Sequence, residues 1–262
     1  MSSADETGSG VMWRAAAPGA LSASEEQWRG QPYALDVPGA ALREASSVAD
    51  LGLFYSIGEA WAQIAIHFAP RTAPSILDIG CGCGKMARFF IMNPRVRYVG
   101  LDVYRPAISW CTAAFAAWPR FEFRHRDVRS ALYNPSGQMQ AEKAVLPVAS
   151  GSVDIAICGS LFTHLLEPAF RRYIAELRRV LARPLLPGSR RRGRAIVSIH
   201  VDPADGRFSG SETRIDISRG LFAEIVEASG LRVVRQIGNV FGQHVYVLER
   251  RWRGPTTEVQ TL

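Results

Sequence analysis

Between Ile76 and Lys85 the chain reads Ile-Leu-Asp-Ile-Gly-Cys-Gly-Cys-Gly-Lys, a short apolar run that carries an acid and then places glycines at alternate positions. Glycine has no side chain and tolerates positive φ, so Gly80, Gly82 and Gly84 let the backbone turn sharply and touch a ligand. Asp78, near the carboxyl end of the run, suits a ligand that carries an ammonium group. The spacing argues against two phosphate-binding loops. A dinucleotide turn needs G-x-G-x-x-G, and here the third glycine comes one residue early; a P-loop needs Lys followed by Ser or Thr, and here Met86 follows Lys85. A second carboxylate, Asp102, ends the run Tyr98-Val99-Gly100-Leu101-Asp102 about 20 residues after the glycines, where an acid can accept both hydroxyls of a ribose. Val103 and Tyr104 follow it and offer a cover for one face of adenine. An acid here also serves NAD, so Asp102 alone does not separate two nucleotide cofactors.

A third run, Phe121-Glu122-Phe123-Arg124-His125-Arg126-Asp127-Val128, closes on Asp127. A fourth, from Leu146-Pro147 through Ser152-Val153-Asp154-Ile155-Ala156-Ile157-Cys158 to Gly159-Ser160-Leu161-Phe162-Thr163-His164, has a proline before the strand and small residues at its end. The glycine motif and this fourth run, separated and in order, resemble the class I S-adenosylmethionine-dependent methyltransferases, bacterial small-molecule type, over roughly residues 50 to 250. The resemblance implies a three-layer Rossmann-like α/β fold, with a mostly parallel seven-stranded sheet and a C-terminal antiparallel hairpin. It implies S-adenosyl-L-methionine as methyl donor, S-adenosyl-L-homocysteine as product, and donor contacts from Asp78, Gly80, Cys81, Gly82, Gly84, Asp102, Val103, Asp127, Val128 and Ser160. In the family the acid and the following residue at the end of the third strand lie beside the adenine amino group, the place taken here by Asp127 and Val128; a helix N-cap is the plainer use of Asp127. The turn that usually follows the helix ending Leu177-Arg178-Arg179-Val180-Leu181 is replaced here by a longer Pro/Arg-rich insertion.

Methyl transfer is an in-line displacement, in which the enzyme mainly aligns the acceptor. A general base helps a hydroxyl and matters less for a neutral amine. His164, just beyond the fourth strand, is the candidate catalytic base and acceptor contact; its plainer use is to fasten the Leu161–Leu166 turn by a hydrogen bond. His200, Tyr55 and Phe162 are further candidate acceptor contacts, with Trp61 beside them, although aromatics at helical spacing also build cores. Glu212 and Asp216, in a polar stretch before the last helix, could meet a polar or amine-bearing acceptor or simply be solvated. The Tyr133-Asn134-Pro135-Ser136-Gly137 segment has no assigned role. The acceptor expected is a small molecule, methylated on O or N, of the kind met in natural-product or sugar modification. Nucleic acid is disfavoured as substrate: no Asn/Asp-Pro-Pro-aromatic motif follows the fourth strand, and no Pro-Cys pair occurs. A nonenzymatic donor-binding relative, an RNA methyltransferase and an NAD oxidoreductase stay open as alternatives.

The elements that must hold these residues follow from the alternation of short β-branched runs with amphipathic segments after residue 74, which reads as a parallel sheet flanked by helices. Strands are expected at Ser75–Ile79, Val96–Asp102, Phe121–His125, Val153–Cys158 and Arg194–His200, with helices opening near Lys85, Pro106, Glu167 and Ser218. The last two strands, Leu231–Gly238 and His244–Arg250, are too close together for a helical crossover and must pair antiparallel. Apolar spacing from Val48 to Phe68 predicts a helix before the sheet, closed by Pro70 and Pro74. Residues 1–45, with Trp13, Trp28 and Tyr33, read as a flexible leader or lid, residues 46–252 as the methyltransferase domain and residues 253–262 as a tail.

At 262 residues with 47% hydrophobic and 21% charged, the chain has enough apolar surface for one such core. No apolar run approaches the ~18 residues a bilayer span requires. The start of the chain, Ser/Gly-rich with Asp5 and Glu6, lacks the look of a secretion signal, which points to the cytoplasm. Cys81, Cys83, Cys111 and Cys158 read as free thiols, and no metal is called for, since Cys81-x-Cys83 lacks a second pair at zinc-like spacing. Much of the net charge of +7 is local, in Arg178, Arg179, Arg183, Arg190, Arg191, Arg192 and Arg194. No aromatics interleave there, so the stretch over 183–194 reads as an exposed loop rather than a nucleic-acid surface. A monomer or a homodimer fits equally.

Overall fold

The computed structural model describes residues 35–46, 48–183, 192–202 and 204–251. Most of the expected leader, the centre of the Arg-rich stretch and the tail lie outside them. A short helix α1 (Ala40–Ala45) precedes α2 (Leu51–His67), whose first turn is capped by Asp50 accepting from the Leu53 amide at 2.8 Å. Then follow β1 (Ser75–Ile79), β2 (Arg97–Asp102), α3 (Arg105–Ala114), β3 (Phe121–His125), β4 (Ile155–Cys158), α4 (Glu167–Val180) and β5 (Arg194–Val201). The chain closes with β6 (Phe208–Ser211), β7 (Arg214–Ile217), α5 (Arg219–Ala228), β8 (Leu231–Val240) and β9 (Gln243–Arg250).

Strands β3, β2, β1, β4 and β5 lie side by side and parallel, and β9 runs antiparallel between β5 and β8. This is the three-layer Rossmann-like arrangement expected, hairpin included. Because side chains alternate across a strand, β1 sends Leu77 and Ile79 to one face and Ile76 and Asp78 to the other. The first face packs against α4 and α5 through Phe170, Ile174, Leu177, Phe222 and Ile225. The second packs against α2, the segment after the glycine turn and the end of α3 through Trp61, Ala65, Phe89, Phe90 and Phe115. All four cysteines are buried free thiols. Among the described residues no helix is long and apolar enough to cross a membrane.

Two local features depart from expectation. The segment opening at Lys85 does not make an α-helix but a run of turns ending in a 3-10 turn over Ala87–Phe90. Gly58 of α2 packs directly on the Lys85 carbonyl, so close that an added Cβ would stand 2.1 Å from its oxygen, and Pro94 stops helical continuation a few residues later. The polar stretch before α5 is a hairpin, β6–β7, rather than a loop. It brings the sheet to nine strands instead of seven, with β7 parallel to the last two residues of β5 (His200 opposite Asp216, Val201 opposite Ile217).

Candidate active site

The carboxyl ends of β1, β2 and β4 open into a cavity of about 620 Å³. The glycine turn forms its floor. Gly80, Gly82 and Gly84 have φ of 81°, 51° and 71°, the left-handed backbone that alternate glycines permit. At Gly82 a side chain would also collide with Ser46, whose Cβ and Oγ lie 3.1 Å from the place of an added Cβ. The stretch after α1 therefore closes directly over the turn.

Asp102 holds the turn in place. One oxygen accepts from the Gly82 amide at 2.7 Å and the other from the Tyr104 amide at 2.8 Å. Each carboxylate oxygen keeps a further lone pair for a ligand. Burial pushes the Asp102 carboxyl above its ordinary value, against the pull of those amides and of Lys85. Asp78 lies beneath the turn, 5% exposed, and accepts from the Tyr98 hydroxyl at 2.5 Å. Burial pushes it up to about 6; Tyr98 and Lys85 oppose that shift and Asp102 adds to it. Two carboxylates at one turn, Asp78 buried and Asp102 half-buried, make the floor of the cavity complementary to a cation, while Lys85 on its wall suits an anionic group.

Of the residues singled out in the sequence, Gly80, Gly82, Asp102, Val103, Val128, Ser160 and His164 line the cavity together, as does Trp61. Asp78, Cys81 and Gly84 support the turn from behind, with Cys81 Sγ packed where Gly100 has no side chain. Asp127 is exposed and takes the Asn134 side-chain amide at 3.1 Å. That hydrogen bond, with a second from Asn134 to the Val128 carbonyl at 3.1 Å, gives the Tyr133–Gly137 segment its role: it folds back on the end of β3 and brings Tyr133 to the cavity.

Three acceptor candidates fall elsewhere. Phe162 is 1% exposed and its ring meets Phe170 at 4.5 Å, so it is core. Tyr55 lies against the guanidinium of buried Arg88 at 5.1 Å, behind the glycine turn. His200 pairs with Asp216 across β5 and β7, where burial and then Arg214 hold its imidazole below the ordinary value. Helical and strand spacing bring these residues near the right end of the sheet but not to the right face.

His164 is fixed by a residue of the unexpected hairpin. Its Nδ1 lies 2.8 Å from the Glu212 carbonyl. A carbonyl only accepts, so Nδ1 carries the hydrogen and Nε2 keeps its lone pair. The Glu212 carboxylate in turn takes the Ala131 amide at 2.6 Å, and Tyr133 stands edge-on to the imidazole at 5.9 Å. Across the cavity, Ser160 has φ 61° and is tied into a chain of hydrogen bonds: its amide donates to Ser198 Oγ (2.8 Å), Ser198 to Gln243 Oε1 (2.6 Å), and Gln243 Nε2 back to Ser160 Oγ (2.8 Å). Gln243, Phe241 and Ser46 line the cavity without any motif to mark them in the sequence, and Lys85, which ends the glycine motif, lines it too. For Phe241 a signal did exist, the aromatic before Gly242 in a tight connection.

A family model described as a methyltransferase domain matches residues 76–184. The match covers less than half of the chain. Its fold is similar to that of the 1,6-didemethyltoxoflavin-N1-methyltransferase of Burkholderia thailandensis, solved with 1,6-didemethyltoxoflavin and S-adenosylhomocysteine (19% identity, TM-score 0.54, 83% of this chain and 93% of that one). It is similar also to an S-adenosylmethionine-dependent methyltransferase of Aquifex aeolicus (15% identity, TM-score 0.53, 82% and 98%). A third relative in fold is the [4+2]-cyclase SpnF (13% identity, TM-score 0.53, 74% and 81%). The matched segment of the methyltransferase domain runs from β1 through α4, and so contains the glycine turn, Asp102, Ser160 and His164. S-adenosylmethionine is the cofactor of such a domain, and the site fits it. A sulfonium and an ammonium would suit the acidic floor, a carboxylate would suit Lys85, and the left-handed glycine turn would leave backbone open to such a ligand.

Proposed function

We propose that the protein transfers a methyl group from S-adenosylmethionine to an oxygen or nitrogen of a small-molecule acceptor, with His164 receiving the acceptor's proton. The observation that carries the transfer reading is the orientation of His164 on the wall of the cavity whose floor is the glycine turn. Its Nδ1 is committed to the Glu212 carbonyl at 2.8 Å, and among the described residues nothing partners Nε2. In this reading Gly80 and Gly82 cradle the donor by their backbone and Asp102 takes the ribose hydroxyls. Val103 and Val128 cover adenine, with Asp127 at its edge, and Ser160 faces the methionine part. Asp78, behind the turn, favours the ammonium through its field rather than by contact.

The bound donor supplies an electrophilic methyl carbon on a cationic sulfur leaving group. An acceptor lone pair would take that methyl as sulfur leaves as a neutral thioether, and His164 Nε2 is placed to receive the acceptor's proton. Support for a small acceptor comes from the fold relative that methylates a nitrogen of 1,6-didemethyltoxoflavin. A second reading, donor binding without transfer, draws support from the fold relative that is a [4+2]-cyclase. Cytoplasmic location and a bacterial natural-product role fit the first reading and rest on it.

Calorimetric titration with S-adenosylmethionine, S-adenosylhomocysteine and NAD tests the donor site. Both sulfur ligands should bind and NAD should not, and Asp102→Asn, which keeps one acceptor oxygen for the turn, should weaken both. Failure of a folded protein to bind either sulfur ligand would sink the proposal. Binding of both, with no methyl transfer across a broad panel of phenols, amines and heteroaromatics, would favour the second reading.

A further inference from the structure

The β8–β9 hairpin turns through Phe241 and Gly242, with φ of 50° and 82°. A two-residue turn with two left-handed positions favours Asn-Gly or Asp-Gly, and a bulky residue at the first is a conformational outlier. Strain of this kind persists only where surrounding structure over-determines it, and it points from geometry to function. Phe241 is nevertheless 51% exposed, so burial of its ring does not repay the strain. The turn is held on both sides. Asn239 Oδ1 takes the Gly242 amide at 2.9 Å, and Gln243 bridges Ser160 and Ser198 at 2.8 and 2.6 Å. Ser160 is itself left-handed, at φ 61°. Two of the four non-glycine left-handed residues described thus line one cavity and are joined through one glutamine.

The lining of the same cavity carries further apolar surface exposed to water. Val145 is 48% and Leu166 46% exposed, and both line the cavity with Phe241. Exposed apolar groups gathered at a cavity mouth mark a ligand surface. We propose that Phe241 is a specificity-determining residue, held in a strained turn by Gln243 so that its ring covers a flat, ring-bearing acceptor at the mouth of the cavity. This rests on the methyl-transfer reading and adds the chemical class of the acceptor: a conjugated ring system, with apolar edges against Val145 and Leu166.

The test uses the full chain and 2-naphthol as a flat bicyclic probe, titrated calorimetrically in the presence of saturating S-adenosylhomocysteine. Phe241→Asn should raise the thermal midpoint by about 2–4 °C, because Asn tolerates the left-handed turn. It should weaken 2-naphthol by about tenfold, near the value of one lost aromatic contact, and leave the affinity for S-adenosylhomocysteine within about twofold. Phe241→Tyr should keep 2-naphthol binding near wild type and gain no stability. A fall in the midpoint of Phe241→Asn would make Phe241 a packing residue and overturn the proposal. So would unchanged 2-naphthol affinity in that variant, or no saturable 2-naphthol binding by the wild type. Absence of S-adenosylhomocysteine binding in the wild type would instead sink the methyl-transfer reading, with the thermal shift and the naphthol titration still reporting on Phe241.

Discussion

His164 is directed by a hydrogen bond to a main-chain carbonyl, and that choice of partner has a chemical consequence. A carbonyl fixes the tautomer without adding a charge, so the base keeps its lone pair on Nε2 and gains no carboxylate beside it. His164→Gln is expected to lower turnover by about 10²–10³, within the range of a lost general base, while S-adenosylhomocysteine affinity stays within about twofold. Turnover that survives the change would make His164 a fastener of its turn. Asp78 bears on the donor instead. Its carboxyl is pushed up to about 6, so the folded state holds this proton more tightly than the unfolded chain. Its contribution to stability is therefore fully present below the ordinary value near 3.8 and is lost as pH rises through about 6. A cationic donor favours the ionised form, so S-adenosylmethionine should bind about tenfold more weakly at pH 5 than at pH 7, and Asp78→Asn should flatten that dependence. Equal affinity at the two pH values in the wild type would remove Asp78 from donor recognition.

Elements with strong apolar runs were legible in the sequence, and those without were not. Strand β1 matches its expected bounds because it lies inside the sheet as a buried apolar run, and β3, although at the sheet's edge, matches through the alternating aromatics Phe121 and Phe123. The β6–β7 hairpin was missed because it lies at an edge with most of its side chains exposed, so only Ile215 and Ile217 carry a burial signal. That hairpin supplies Glu212, and with it the orientation of His164; the base was legible but its orienting group was not. The glycine turn was legible because its conformation demands the residue type, whereas the 3-10 turn after it depends on the contact of Gly58 with Lys85. Gly58 makes that dependence testable. In a free helix Gly→Ala stabilises by about 1 kcal/mol, but here the added Cβ would stand 2.1 Å from a backbone oxygen. Gly58→Ala should instead destabilise the protein by about 2 kcal/mol or more and weaken S-adenosylhomocysteine, measured by urea unfolding and calorimetry. A gain in stability would show that α2 yields without moving the turn.

The opposite end of the sheet is tied by one acid. Asp154 accepts from the Ser75 amide (2.9 Å) and hydroxyl (3.0 Å) and pairs with Arg71 at 2.6 Å, joining the start of β4 to the start of β1. Burial pushes this carboxyl up, but the Ser75 donors and Arg71 together outweigh burial and hold it below its ordinary value. Its stabilisation is thus fully present above about 3.8 and is lost as pH falls through the lower folded value. Asp154→Asn should cost about 2 kcal/mol at pH 7, less than a fully buried pair because Arg71 is partly solvated, and the gap to wild type should narrow in acid. A constant gap from pH 7 to pH 3 would assign the loss to packing.

At the scale of the molecule, the cavity draws its walls from Ser46 at one end of the described chain to Gln243 near the other, through β1, β2, β4, the β6–β7 turn and the β8–β9 hairpin. A ligand held between the ends of strands this far apart in the chain binds only the assembled fold, so its free energy adds to the stability of the whole rather than of one segment. At a free concentration about 100 times its dissociation constant, S-adenosylhomocysteine should add about 2.7 kcal/mol, which for a chain of this size is a rise of roughly 5–10 °C in the midpoint. Trp61 lies on the cavity wall and, in a variant whose other five tryptophans are replaced by Phe, reports locally by fluorescence, whereas far-ultraviolet dichroism reports on the sheet and helices together. The two probes should give one transition and the same shift. If the Trp61 signal melts first and alone moves with ligand, α2 and the turn it packs on form a separate unit that the donor organises, and the site is assembled by binding instead of by folding.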